Sequence, residues 1–516
     1  MKKAVVALVF VSAILGSCQN TPKKTTVVLL PSDQEQADLA SRITEEDLRT
    51  HLYTYASDAF EGRETGTPGQ KKAVAYLTSF YDSLGISMAQ GTNNYIQKVP
   101  VTYTTAPEGS FTYGDQAFAI GEDFVTFSGT NGSFASTYVG YGIDTEAYSN
   151  YTDIDVIGKM VIAIAGEPQN EDGTYLLTQT TEYSKWSNTS EALPKRVEAA
   201  KKHGAAGLIF VDATNFERYA RYYNYMKRNN SGQMRLSDEE TLFSTIMHPD
   251  KAAAIIGSSS APTALEHTIE IAIEGGSEAV DTENVAAIIE GIEQPDEYVI
   301  VSSHLDHIGI DAEGRINNGA DDDGSGTVAM LELADALLAA KKEGKGPRRS
   351  VVFLHVTGEE KGLLGSEYYA DREPLYPLAQ TVTNLNIDMI GRIDPKREGD
   401  RNYIYLIGSD KLSTELHELS ETVNEKFTQI ELDYTYNDEN DPNRFYYRSD
   451  HYNFAKNNIP IIFYFNGTHD DYHAHTDTPD KINYDLLENR TRLVFHTLLE
   501  VANRENRPVV DKVPQE

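Results

Sequence analysis

The chain has 516 residues, 40% of them hydrophobic and 24% charged, an ordinary globular composition that excludes wholesale disorder. Lys and Arg number 45 against 79 Asp and Glu, a formal charge of −34, which excludes a nucleic-acid partner because phosphate backbones are bound through basic side chains. The length admits two or three domains at roughly 150 residues each, and a single cysteine excludes an intrachain disulfide.

Residues 1–18, MKKAVVALVFVSAILGSC, put two lysines before an apolar run from Ala4 to Leu15 and end in Leu15-Gly16-Ser17-Cys18. That run has the length of a signal-peptide core and is too short to span a bilayer. The ending resembles a bacterial lipoprotein processing site, which makes Cys18 the lipidated first residue of the mature chain. An ordinary cleaved secretory signal is the alternative, and both export the protein. Residues 19–40 read as a tether, and no later stretch reaches the ~20 apolar residues of a membrane helix. The expected location is the cell envelope, periplasm or outer membrane, with membrane attachment by lipid alone.

From Thr44 to Leu84 the pattern predicts two helices around the loop EGRETGTPG, with Leu48, Leu52 and Tyr55 on one apolar face and Ala73, Leu77, Phe80 and Leu84 on the other. Between about Thr105 and Gly275 short strand-like runs appear, ASTYVGYGI and KMVIAIAG, then an amphipathic helix leading into AAGLIFVDA and a Tyr-rich polar stretch at 216–230. The flanking segments make better sense joined, so this region reads as an insertion. From Val285 apolar runs of four to eight residues alternate with amphipathic helices: EYVIVSSH, TVAMLELADALLAAKK, RSVVFLHVTG, VTNLNIDMIG, NYIYLIGS, KLSTELHELSETVNEKF and PIIFYFNG. That alternation predicts an α/β fold, a mostly parallel sheet with helices on both faces.

In such sheets the site lies outside the carboxyl ends of the strands. Those ends carry His304 and Asp306, the aspartates 321 to 323, Glu359 and Glu360, Asp388, and the histidines 469, 473 and 475. Imidazoles and carboxylates converging on one rim suit divalent cations. Other templates fail. His417-Glu418-Leu419-Ser420-Glu421 lacks the second histidine of HExxH; an EF-hand alignment on Gly324 puts Gly319 and Met330 at ligand positions; and no GxSxG supports a serine nucleophile.

HLDH, GADDDGSG, TGEEKGLLGS, NIDMIGR and YHAHTDT resemble, in order, the motifs of the zinc exopeptidase family that includes bacterial aminopeptidases, glutamate carboxypeptidases, glutaminyl cyclase and the transferrin receptor. SDAFEGRETGTPGQKKA is similar to the opening of secreted members. GKMVIAIAGEP and AAKKHGAAGLIFV are similar to the protease-associated domain that several members carry as an insertion. The resemblance implies a peptidase domain in two parts, 41–108 and 281–505, around a protease-associated insertion at 109–280, with a tail at 506–516. It implies two co-catalytic zinc ions. The family pattern puts a bridging carboxylate at Asp322, with His304 and Asp388 on one ion and Glu360 and His473 on the other. Asp321 and Asp323 are then left as solvated acids or as acids favoured by the helix N-terminus ahead of Thr327. His473 fits the family's Tyr-His-x-x-x-Asp-Thr; His475 and His469 are the alternatives. Asp306 resembles the carboxylate that orients the His304 imidazole, Glu359 the general base, Tyr472 a hydroxyl that steadies an oxyanion, and Arg448 an arginine near the substrate carbonyl. His307, His355 and His451 read as structural or surface histidines.

The function implied is an exported, membrane-tethered di-zinc aminopeptidase that cleaves N-terminal peptide bonds with metal-activated water. Glutamate-releasing carboxypeptidase action uses the same metal core. Glutaminyl cyclase, with a single zinc, and a dead binding protein like the transferrin receptor are further readings. The second of these runs against the retention of every ligand type and the base.

Overall fold

The computed structural model describes residues 30–229, 231–237, 242–275 and 277–512. The lipoprotein signal and all of the tether before Leu30 lie outside the described residues. The tether does not extend to residue 40. Asp33–Ala40 is a helix (α1), opened by a reciprocal capping box between Ser32 and Glu35 and held down by Leu39 and Ala40, which are buried in the core. Glu45–Tyr55 (α2) starts at Thr44, whose hydroxyl accepts from the Asp47 backbone N–H, and buries Leu48, Leu52 and Tyr55. Pro68–Leu84 (α3) has proline in its first turn and stops at Gly85, whose φ of 69° only glycine adopts freely.

A ten-stranded sheet follows: Ser87–Met88 (β1), Ile96–Thr105 (β2), Gly232–Leu236 (β3), Ser277–Ile289 (β4), Gln294–His304 (β5), Arg349–Val356 (β6), Thr381–Ile387 (β7), Tyr403–Ile407 (β8), Glu431–Asp433 (β9) and Ile461–Phe465 (β10). The order is β3-β2-β4-β6-β5-β7-β10-β8-β9, with β1 paired to β4. The expected α/β architecture is present, and its parallel block is the central run β6-β5-β7-β10. Antiparallel strands extend it on both sides, through β4 and β2 at one edge and β8 at the other. The central strands are apolar throughout because both faces are covered, and their side chains sort by period two. Val299, Val301, Val351 and Phe353 join one core with helices α1 to α3, Gly326–Lys342 (α4), Thr414–Phe427 (α5) and Tyr484–Asn503 (α6); Ile300, Val352 and Leu354 pack on the opposite face with Tyr369 and Phe454.

Residues 108–274 mostly leave this sheet. They build a four-stranded antiparallel sheet around Glu108–Tyr113 and Ile269–Glu274, and a six-stranded one centred on the parallel pair Met160–Ile164 and Gly207–Val211. Residues 216–229 of the Tyr-rich stretch belong to a helix, Ala213–Asn229. One segment returns: β3 pairs with β2 from Leu236 opposite Val101 to Gly232 opposite Thr105, so the insertion contributes an edge strand to the main sheet. Among the described residues no helix is long and apolar enough to cross a membrane.

His355 on β6 is fully buried, with Nε2 2.8 Å from Tyr81 Oη and Nδ1 3.1 Å from Ser303 Oγ. Burial pushes its pKa down to about 3. Between the ordinary value near 6.5 and about 3 the unfolded chain binds a proton here that the folded chain refuses. Stability from this group therefore falls as pH drops through that window, by about 1.4 kcal/mol per pH unit. Denaturant titrations between pH 7 and 5 should show a slope of stability against pH that His355→Gln reduces by about one proton; an unchanged slope contradicts a buried neutral imidazole.

Candidate metal centre

The carboxyl ends of the four parallel strands bring the expected residues together. His304 closes β5, Glu359 and Glu360 follow β6, Asp388 follows β7, and His473 lies in the loop after β10. His304 Nε2 is 3.2 Å from Asp322 Oδ1, 3.6 Å from Asp388 Oδ1 and 3.9 Å from Glu359 Oε2. His473 Nε2 is 3.1 Å from Asp322 Oδ2 and 3.1 Å from Glu360 Oε2. Asp322 therefore presents a different oxygen to each of two donor groups.

The donors fit a metal. Two ligands about 2.05 Å from one ion at the tetrahedral angle stand about 3.3 Å apart, the middle of the spacings seen. His304 Nε2, Asp322 Oδ2 and Glu360 Oε1 are buried without a hydrogen-bond partner among the described residues. Close but unaligned nitrogens and oxygens around a common point are what a divalent cation requires, and mixed imidazole and carboxylate donors suit zinc. His304 Nδ1 donates to the Asp306 carbonyl at 3.0 Å, which fixes the ring so that Nε2 faces the carboxylates.

That bond corrects the role expected of Asp306. Its main-chain carbonyl orients the imidazole, while its carboxylate accepts from Thr65 Oγ1 at 2.7 Å and from the Glu359 backbone N–H at 3.2 Å. The side chain thus positions Glu359 rather than His304. Asp321 and Asp323 are not solvated either; both are fully buried. Asp321 Oδ1 accepts from Gly391 N at 2.7 Å and Oδ2 lies 3.1 Å from His469 Nε2. Asp323 accepts from Gly326 N at 2.9 Å, Met389 N at 3.2 Å and His304 N at 3.2 Å. Asp323 is near enough to His304 and Asp388 to be counted with them, but backbone N–H groups occupy both its oxygens, whereas Asp322 Oδ2 is free. His469 is taken by Asp321, and of the other two it is His473 that faces the centre, its Nε2 3.1 Å from both Asp322 and Glu360.

Three supports carried no legible pattern. Ser449 Oγ donates to Asp388 Oδ2 at 2.6 Å and accepts from Asn386 Nδ2 at 2.9 Å. Buried Arg63 donates to the carbonyls of Asn318 and Gly319 at 2.6 and 2.8 Å, bracing the turn ahead of the aspartates. Asp477 Oδ2 accepts from the backbone N–H of Asp321 and Asp322 at 2.9 and 3.2 Å. Arg63 and Asp477 lie in motifs quoted above, EGRET and YHAHTDT, and Ser449 follows Arg448; the spacing marks the ligands and says nothing of hydrogen bonds to them. His307, read as structural or surface, in fact stands inside the centre, 2.9 Å from Glu360 Oε1.

Beside Asp322, Glu359 and Asp388 opens a pocket walled by Phe445, Phe463 and Phe465, with Arg448 and Tyr472 also in its lining. Arg448 Nη2 reaches Tyr472 Oη at 3.5 Å, and the tyrosine ring stacks on His473 with centroids 3.9 Å apart. Burial and the surrounding carboxylates hold the Tyr472 hydroxyl far above its ordinary pKa, so it stays protonated.

Comparison with known proteins places the same segment. Residues 284–498, which contain every donor named above, match the model of Peptidase family M28. The resemblance carried by the motifs is therefore matched by the family model over this part of the chain. The chain is 36% identical over 106 residues (20% of this chain, 14% of the relative) to a probable glutamate carboxypeptidase, LAMP1, of Arabidopsis thaliana. It is 28% identical over 223 residues (42% of this chain, 44% of the relative) to aminopeptidase YwaD of Bacillus subtilis. Each match thus spans less than half of the relative's length. Among solved structures, an aminopeptidase from Aneurinibacillus sp. strain AM-1 aligns over 93% of this chain and 100% of its own at 20% identity, with a TM-score of 0.46.

Without metal, burial opposes the charge on His304, but Glu359, Asp322 and Asp388 outweigh it and raise its pKa well above the ordinary value. Burial likewise opposes His473, while Asp322 and Glu360 raise it to about 10. Both rings are imidazolium at neutral pH, so zinc must displace their protons and its affinity must rise with pH. Calorimetric zinc titrations at pH 7 in buffers of different ionisation heat should report about two protons released on full loading; release of none means that these imidazoles are not ligands.

Proposed function

We propose that the chain is an exported aminopeptidase working with two co-catalytic zinc ions, anchored through a lipidated Cys18, with residues 108–274 forming a protease-associated unit. The observation that carries the two-ion reading is the division of Asp322, one oxygen toward His304 and Asp388, the other toward His473 and Glu360. Zinc bound there supplies Lewis acidity, polarising a peptide carbonyl and lowering the pKa of water toward neutrality.

The chain's own groups do the rest. Glu359 is held by its main chain to Asp306 and reaches into the donor group. Burial raises its carboxyl well above the ordinary range. It takes the proton of the attacking water and returns it to the leaving amine. Tyr472 donates its hydroxyl hydrogen to the oxyanion that forms on the substrate, and Arg448, which donates to Tyr472 Oη, leaves that hydrogen free for the purpose. Ser449 keeps Asp388 turned inward.

The amino end of a peptide is favoured by the likeness to aminopeptidase YwaD, which spans 42% of this chain against 20% for the probable glutamate carboxypeptidase. Arg448 supports the second reading, a carboxypeptidase that holds a C-terminal carboxylate. Assays with aminoacyl nitroanilides beside N-blocked peptides ending in free glutamate separate the two, and release from the nitroanilides alone is expected. Glu359→Gln should lower turnover roughly 100- to 10,000-fold with zinc content near that of wild type; loss of zinc would make Glu359 a ligand instead of the base.

A further inference from the structure

His307 has no role in the motif resemblance, yet its surroundings give it one, on the two-cation reading above. Its side chain is fully buried, and neither ring nitrogen has a hydrogen-bond partner among the described residues. Such a group costs free energy unless something beyond the protein chain completes it. Nδ1 stands 2.9 Å from Glu360 Oε1 and 3.8 Å from Asp322 Oδ2. At the shorter distance an aimed N–H would make a strong hydrogen bond, but Glu360 Oε1 is equally unpartnered. The ring nitrogen points past the oxygen, as His304 Nε2 does in the neighbouring donor group.

The ring is fixed where it stands. The His307 backbone N–H donates to the Arg63 carbonyl at 3.2 Å, and Leu305 N donates to Val356 O at 2.9 Å, so the segment is tied to two other parts of the chain. Gly319, at a φ of +58°, lies under the imidazole; a Cβ there would be 2.6 Å from ring atoms Cγ and Cδ2. His307 and His473 meet edge to face at 71°, with centroids 5.9 Å apart, and so approach Asp322 and Glu360 from different directions. The pocket wall includes Asp322, Glu359 and Asp388 but neither Glu360 nor His307. Substrate space therefore borders one donor group and not the other.

We propose that His307 Nδ1 is a fourth protein ligand on the Glu360 side, giving that position two imidazoles and two carboxylates against the three protein donors of the His304 side. A fourth protein donor strengthens the hold on an ion, and a zinc with four can still expand to five-coordinate to share a water. The two cations then differ in tenure: the ion on the Glu360 side is held more tightly, and the one on the His304 side exchanges more readily.

The test titrates the metal-free full-length chain with zinc against a competing chelator, for wild type, His307→Ala and His307→Gln, and reads the imidazoles around zinc by X-ray absorption. Wild type should bind one equivalent much more tightly than the next. His307→Ala should weaken that tight equivalent by more than the roughly 10- to 100-fold that losing a hydrogen-bonded neighbour of a ligand costs, with one imidazole fewer in the spectrum. Two equivalents bound within about tenfold of wild type in His307→Ala, or full recovery in His307→Gln, overturns the assignment, the second result making His307 a positioning residue. Should the variants fail to fold, a crystal of the zinc-loaded wild type decides: Nδ1 about 2.0–2.1 Å from the ion supports the proposal, and separation beyond hydrogen-bond distance ends it. Uptake of a single zinc would refute the two-cation reading. In that crystal a zinc on the Glu360 side still accepts or rejects His307 by its Nδ1 distance, and none on that side overturns both.

Discussion

Asp322 gives one oxygen to each of two sets of donors, and the rest of the centre is arranged around that division. Asp322, Glu359, Glu360 and Asp388 crowd into a space where like charges repel and water is scarce. Burying charges this way is tolerable only when opposite charge is held among them. In the metal-free chain two imidazoliums serve, since the carboxylates keep His304 and His473 protonated despite burial. On the proposed reading, a pair of divalent cations would neutralise the same carboxylates more completely and free the imidazoles as ligands. The same cluster is thus arranged to exchange protons for metal.

The outer parts of the centre are devoted to keeping that carboxylate in place. Asp321, Asp323 and Asp477 are buried acids, and each meets main-chain N–H groups of the turns that carry the ligands. A buried acid without such donors would be costly; with them it ties together the turns that leave neighbouring strand ends. Asp323 joins the end of β5, the start of α4 and the turn after β7 through three such bonds. Arg63 and Thr65 add the N-terminal loop to the assembly. Rigid scaffolding of this kind is what holds donor spacing near that of a bound ion.

Much of this was legible before any coordinates. Apolar runs alternating with amphipathic helices give β5, α4, β6, β7, α5 and β10, because the buried parallel block needs uninterrupted apolar strands. Donor residues at the strand ends stood out because imidazoles and carboxylates are rare there in such numbers. What stayed hidden depends on which atom of a residue is used. Asp306 acts on His304 through its carbonyl, and every residue has one. The flanking aspartates carry the chemistry of solvated acids in sequence, and only the turn that buries them gives them N–H partners. His307 follows His304 too closely to be told from a neighbour, and its orientation is set by Gly319 and Arg63, both distant in the chain. For α1 the obstacle was composition: DQEQADLA is mostly polar, and its two buried anchors gain meaning only against α4 and α6.

The return of β3 to the edge of the main sheet has a mechanical consequence. Strand pairing along five residues, with Leu236 packed against Val99 and Val101, clamps the insertion at a point far along the chain from its two ends. A module joined only at its entry and exit could swing like a door on those links. This one has a third fastening, and opening it would mean peeling a ladder of backbone hydrogen bonds. The bulk of the inserted unit is therefore pinned to the main sheet rather than free to swing on its two links.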